Sequence, residues 1–401
     1  MSYHPPQNIL EKYASVLVNF ALNSGHGIKR NEVILLQVPE CAKPLLIALQ
    51  KAVLKAGAHY ITQFLPDETS RLFYEMAEEH QLVFFPGKLL KGRIEQIGHS
   101  ITIIAETNKK ELQGIDAKKI MLRDSAYKPY KDWKEEKENQ GNYTLVLALY
   151  GTEAAAKEAN LSIEEYWQQI IKSCYLNDID PVEKWKSAYE KINSIKDKLN
   201  SLDIEKISIK AQGIDLTLGI DKNRKWVGAT GRNIPSFELF ISPDWRKTSG
   251  FVEFDQPLYH YGNIIKGIKL EFKEGLVTKA SAAEGEDILK EMIALEGGNK
   301  VGEFSLTDKR FSFIDKFMAE TLFDENFGGQ YGNTHIALGS AYKDCSPHDA
   351  RTTPKEKWIE WGFNESVVHT DMISTTPREV EATLKNGAKI LIYKDGEFLV
   401  K

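Results

Sequence analysis

The chain has 401 residues, 42% of them hydrophobic and 27% charged, with a formal net charge of −5. Such proportions belong to a soluble globular protein of two or three domains and exclude disordered or fibrous architectures. A mildly acidic chain has no general pull on nucleic acid or anionic lipid, so neither nucleic acid nor membrane is expected as a partner.

The first third alternates helical and strand patterns. Ile9 to Asn23 carries Leu10, Tyr13, Leu17, Phe20 and Ala21 at helical spacing, with Gly25 and Gly27 as the stop. Glu32 to Val38 reads as a strand, Lys43 to Ala56 as a helix, His59 to Leu65 as a strand and Thr69 to His80 as a helix. Ser100 to Ala105 and Tyr143 to Tyr150 are apolar runs of buried-strand length. This order predicts a mostly parallel sheet with flanking helices. Residues 150–200 are helical and charged, and connect two domains. Lys206 to Leu218 and Lys266 to Ala280 are strand-like, with turns at Gly213-Ile214-Asp215 and Glu274-Gly275. Helices are expected at Gly285 to Glu296 and Asp315 to Leu322, and a closing hairpin at Asp395-Gly396. The expected organisation is an α/β domain over 1–195 without nucleotide cofactor, then an α+β domain over 196–401.

Several chemistries are excluded by their missing signatures. Gly25 and Gly27 follow a helix and precede a strand, the reverse of a dinucleotide fingerprint, and no GxxxxGK[ST] occurs. There is no GxSxG elbow and no HExxH. Cys41, Cys174 and Cys345 are too few and too scattered for a disulfide framework or a cysteine-rich zinc module, and Cys345 with His348 lacks a second pair. No apolar run reaches the ~18 residues of a membrane span. The N-terminal stretch lacks a basic region followed by an apolar core, so a cytoplasmic location is expected.

What remains is a set of candidate metal ligands in the second half. His369 and Asp371 would share one face of a strand, since side chains alternate with period two. An imidazole and a carboxylate together suit zinc or cobalt. His335 precedes the apolar run Ile336-Ala337-Leu338, and Tyr342 follows seven residues later, on the same face if the stretch is helical. Glu303 lies in an apolar neighbourhood, Glu325 follows an apolar helix, and Glu238 sits between Phe237 and Leu239, where the plain reading is a surface glutamate. Taken together, Glu238, Glu303, Glu325 and Asp371 balance two divalent cations, and a carboxylate can bridge two ions.

These motifs carry a resemblance. Asn233-Ile234-Pro235 with Glu238-Leu239-Phe240, Gly302-Glu303, Leu322-Phe323-Asp324-Glu325-Asn326, His335-Ile336-Ala337-Leu338-Gly339 with Tyr342, and Val368-His369-Thr370-Asp371 occur in this order. In them the chain resembles the thermophilic-type metallo-aminopeptidases, the aminopeptidase T and aminopeptidase S group, over nearly its whole length. The resemblance implies that Glu238, Glu303, His335, His369 and Asp371 bind two divalent ions, whether zinc, cobalt or manganese. It places Glu325 and Tyr342 in the same site, Glu325 as general base and Tyr342 as ligand or oxyanion donor. It further implies peptide substrates with a free N-terminus, and a homodimer. One departure is the longer, glycine-rich segment Phe327 to Thr334. A narrower metal-dependent amidase or dipeptidase, and a non-catalytic peptide binder, remain alternatives to the aminopeptidase.

Overall fold

The structure is a computed structural model and describes residues 3–260 and 263–400. Met1 and Ser2, in the stretch read for a leader, lie outside the described residues. The chain forms two compact units, 1–186 with 230–234, and 187–229 with 235–401.

The first unit is built on strands β1 (Val33–Pro39), β2 (His59–Leu65), β3 (His99–Ile104) and β4 (Thr144–Leu149). All pair in parallel, in the order β2-β1-β3-β4. Their apolar runs end at turn residues, and the central strands β1, β3 and β4 are buried under helices such as Lys43–Lys55, which turns Leu45, Leu49 and Val53 inward. β2 is an edge, with Tyr60, Ile61 and Phe64 exposed.

The chain then enters the second unit with β5 (Ile204–Ala211), β6 (Ile214–Gly219) and β7 (Val227–Gly228). It returns to the first unit for β8 (Asn233–Ile234), which pairs in parallel with β4. The rest of the second unit comprises β9 (Glu238–Ile241), β10 (Asp244–Glu253), β11 (Leu258–His260), β12 (Asn263–Ile265), β13 (Lys269–Lys273), β14 (Leu276–Ser281), β15 (Val301–Thr307), β16 (Asn333–Gly339), β17 (His369–Ser374), β18 (Arg378–Leu384), β19 (Lys389–Lys394) and β20 (Glu397–Phe398). Eight of these strands form one antiparallel sheet, β14-β13-β10-β6-β5-β18-β19-β20, and five form another, β17-β16-β15-β9-β7. A parallel α/β portion followed by a mostly antiparallel one agrees with the sequence reading.

Three expectations are corrected. The helix over Ile9 to Asn23 is a regular helix only over Gln7–Val16, then a π-helical turn over Leu17–Ala21. Thr69 to His80 divides into Ser70–Met76 and Glu79–Leu82, because Ala77 is extended and Glu78 opens a new capping box with Gln81. Asp315 to Leu322 is not a helix. The Asp324 carboxylate takes the backbone N–H groups of Met318 and Glu320, which leaves only Thr321–Asp324 helical.

Candidate metal centre

The five-stranded sheet positions the candidate ligands. Ser305 on β15 stands opposite His335 on β16 and Phe240 on β9, and Thr307 stands opposite Glu238. Ala337 stands opposite both Glu303 and Asp371, and Gly339 opposite His369. Opposed residues of antiparallel strands share a face, as do residues two apart. Glu238, Glu303, His335, His369 and Asp371 therefore all project from one side. The other side carries Leu239, Phe304, Leu306, Ile336, Leu338 and Met372, all buried. In the middle of this face Ser305 and Ala337 have small side chains that leave room for carboxylates to converge.

Two groups of ligand atoms result, Glu238 with Glu303 and His335, and Glu303 with His369 and Asp371, each within 4.8 Å. Glu303 is common to both. Its Oε1 lies 3.1 Å from His335 Nε2, and its Oε2 lies 3.2 Å from His369 Nε2. His335 Nε2 is 3.4 Å from Glu238 Oε2 and 3.7 Å from Asp371 Oδ1, and His369 Nε2 is 3.4 Å from Asp371 Oδ1. The chemistry of this set fits divalent ions. Imidazole nitrogens and carboxylate oxygens converge, and Asp371 Oδ1 and His335 Nδ1 are buried without a hydrogen-bond partner among the described residues.

Local features fix each side chain. His369 Nδ1 donates to the Ser340 carbonyl at 2.8 Å, which leaves Nε2 facing the cluster. Gly302 makes that carbonyl's position available, since a Cβ there would lie 2.3 Å from Ser340 O. Ser305 Oγ donates to Glu238 Oε2 at 3.0 Å. Glu238 is buried at 7% exposure, so the surface reading of this residue is overturned. Glu325 ends the helix Thr321–Asp324 and is anchored by its neighbours. Asp324 holds the preceding turn, and Asn326 Oδ1 accepts from Phe237 N at 2.6 Å, beside Glu238. Asn333 Nδ2 donates to the Glu325 carbonyl at 3.0 Å. The flanking Asp and Asn of the Asp-Glu-Asn triplet are thus its fasteners.

His335 lies on a strand, so its relation to Tyr342 is not helical. Tyr342 follows the strand, and its ring packs on His369 at 4.8 Å and Phe240 at 5.6 Å between centroids. It bridges the site face from β17 to β9. Cys345 is buried, and His348 stacks on Trp361 and bonds Asn223, away from any ligand grouping among the described residues.

Electrostatics follow from burying so many charges. Burial opposes charging His335, yet the Glu303 hydrogen bond and the Glu238 charge push its pKa up to about 10. His369 is pushed up to about 12, against burial, by Asp371 and Glu303. Burial alone would raise Glu303, but hydrogen bonds from His335 and His369 bring it below its ordinary value, and the His369 charge likewise draws Asp371 down to about 2. Glu238 is left over and rises to about 7 through burial and the Glu303 charge. Burial and then the charges of Glu238 and Asp371 carry Glu325 well above its ordinary value. Tyr342 is 41% exposed as a residue, yet desolvation of its phenol and the neighbouring carboxylates, Glu303 first, hold it protonated.

The sequence reading missed Ser305, Asn326, Asn333 and the Ser340 carbonyl. One signal was present. Over 303–307 of β15 and 335–339 of β16, strands buried throughout, polar or small residues alternate with large apolar ones, which marks a polar site inside a sheet rather than an exposed face.

Comparison with known proteins agrees with this picture. Residues 6–398 match the family described as thermophilic metalloprotease (M29). Aminopeptidase AmpS of Bacillus subtilis is 26% identical over 97% of this chain and 98% of its own. Aminopeptidase PepS of Streptococcus thermophilus is 28% identical over 98% of each chain. The solved structure of wild-type AmpT from Thermus thermophilus has the same fold, with a TM-score of 0.84 and 22% identity over 98% of this chain and 100% of its own.

Proposed function

The chain belongs to the thermophilic metalloprotease (M29) family, and from that premise we propose a two-ion site for its activity. It is a metal-dependent aminopeptidase, releasing N-terminal residues from peptides. In our reading Glu238, Glu303 and His335 hold one divalent ion, and Glu303, His369 and Asp371 the other. The observation that carries it is Glu303, whose two oxygens face different histidines and join the two groups. When bound, zinc, cobalt or manganese would supply a Lewis acid and an activated water.

The remaining steps fall to side chains. Glu325, with its proton affinity raised by burial, takes a proton near neutral pH and returns it to the leaving amine. Tyr342, held protonated, donates to the oxygen that develops negative charge. The substrate's free α-amine is the group best matched to a carboxylate-lined site, which makes the enzyme read the amino end. The first unit holds no nucleotide in this reading. Its unpaired edge strand β2, with Tyr60, Ile61 and Phe64 exposed, supports a homodimer. No helix among the described residues is long and apolar enough to cross a membrane. The unpaired cysteines support a cytoplasmic setting.

The test removes and restores the ions. Chelated protein, metal-free by elemental analysis, should lose cleavage of a free peptide and regain it with cobalt, zinc or manganese. N-acetylated peptide should be cut about 10⁴-fold more slowly, the loss expected when a site built for a polar group is denied it. Equal rates on free and acetylated peptide would favour the amidase reading, and full activity without metal would end the proposal.

A further inference from the structure

Arg378, the first residue of β18, is 2% exposed, yet no carboxylate enters its hydrogen bonds. One terminal nitrogen donates to the Tyr331 carbonyl at 3.2 Å and the other to the Ser374 carbonyl at 3.0 Å, while Nε has no hydrogen-bond partner among the described residues. Tyr393 of β19 is fully buried beside it, 6.0 Å from guanidinium carbon to ring centre. Its hydroxyl donates to the Thr307 carbonyl at 2.8 Å and lies 3.3 Å from the Tyr331 carbonyl. Burial opposes the Arg378 charge, and the Tyr393 side chain and the Asp255 carboxylate offset it only in part. A guanidinium whose two terminal nitrogens donate to carbonyls is a costly arrangement, and a neutral side chain of similar size would fill the space at less expense. The place it occupies explains its presence. Thr307 ends β15, Tyr331 leads into β16 and Ser374 ends β17. These strands carry Glu303, His335, His369 and Asp371. Each sewn carbonyl lies three or four residues from a ligand: Thr307 from Glu303, Tyr331 from His335, Ser374 from Asp371. The backbone has been shaped to admit this stitch. Gly332 has φ +58°, and a Cβ on it would lie 2.2 Å from the Tyr393 hydroxyl.

We infer that Arg378 and Tyr393 are positioning residues for the metal centre. They hold three strand ends of one sheet in register from the neighbouring sheet, and so fix the spacing of Glu303, His335 and Asp371. Neither touches an ion or substrate. Their effect is on how tightly and in what geometry ions are held. The inference rests on the ligand set proposed above.

The experiment is a cobalt titration of the full chain, read by the visible absorption spectrum and by equilibrium affinity, alongside melting temperature. Wild type is measured first. If it takes up no cobalt, or keeps its uptake in His335→Ala, the ligand set fails independently of this inference. Arg378→Met should stay folded, bind cobalt ten- to a hundredfold more weakly, the loss typical of outer-shell changes, and show an altered spectrum. Arg378→Lys, which keeps charge but only one donor group, should recover part of the affinity. Tyr393→Phe removes a single hydrogen bond and keeps the ring, so it reports even if Arg378→Met does not fold, and should weaken binding severalfold. A lowered melting temperature with wild-type cobalt affinity and spectrum, in Arg378→Met or in Tyr393→Phe, would make these residues structural only and overturn the inference.

Discussion

Glu325 and His335, given different roles in the proposed site, should fail differently. With Glu325 as the proposed base, Glu325→Gln would keep the shape and lose proton transfer, so turnover should fall about 10²–10⁴-fold with metal content kept. His335→Ala should lose metal as well as turnover. Elemental analysis beside the rate separates them, and loss of metal from Glu325→Gln would make Glu325 a ligand. The candidate ligands set a pH dependence. His335, His369 and Glu238 hold protons up to about 10, about 12 and about 7 in the metal-free fold. Between their ordinary values and these, the folded chain binds more protons than the unfolded one, so stability falls as pH rises. The histidine contribution is complete below roughly 6.5 and is lost through the folded values. Asp371, drawn down to about 2, has the opposite sign, but its window lies below pH 4 and leaves the neutral range untouched. Ions must displace the histidine protons, so their affinity climbs with pH. The rise in melting temperature on adding cobalt should therefore be larger at pH 8 than at pH 6. An equal or smaller rise at pH 8 would mean that these protons are not the ones displaced.

Among elements, the start of β15 shows how a central strand is shaped for ligation. Gly302→Ala would force the Ser340 carbonyl away from where it orients His369. Metal affinity should drop about 10–100-fold while the far-ultraviolet spectrum stays native, and unchanged affinity would show that the carbonyl does not steer the ring. The strands of the first unit were legible because their apolar runs are bounded by glycine and polar turns. The helices Gly87–Gln96, Ala117–Ala126 and Lys128–Asn139 were not. Their charged sequences bury little, so no apolar stripe announces them. β16 was open to a helical reading because it opens on three polar residues, Asn333-Thr334-His335, and its alternation from His335 to Gly339 is only five residues long. The ligand set was suggested by the order of short motifs. Cross-strand register, which no single strand encodes, is what brings Glu238 beside residues 65 to 133 positions later.

For the whole molecule, the edge strand β2 sets an expectation about assembly. Its sequence, His59 to Leu65, has no lysine, proline or bulge of the kind that guards solvent-facing edges. Light scattering should give about twice the 45.5 kDa chain mass, and replacing Ile61 and Phe64 by lysine should give single chains that still bind cobalt. A wild-type mass of one chain would remove the dimer from the proposal. The path of the chain has a different consequence. The first unit is left at residue 186 and completed only by β8, Asn233–Ile234. During synthesis a ribosome that has delivered 200 residues has therefore released a sheet whose β4 border still lacks its neighbour. That border stays open to stray strands until about 35 further residues and the length of the exit tunnel have passed, so a translational pause there would favour aggregation, and one beyond it would not.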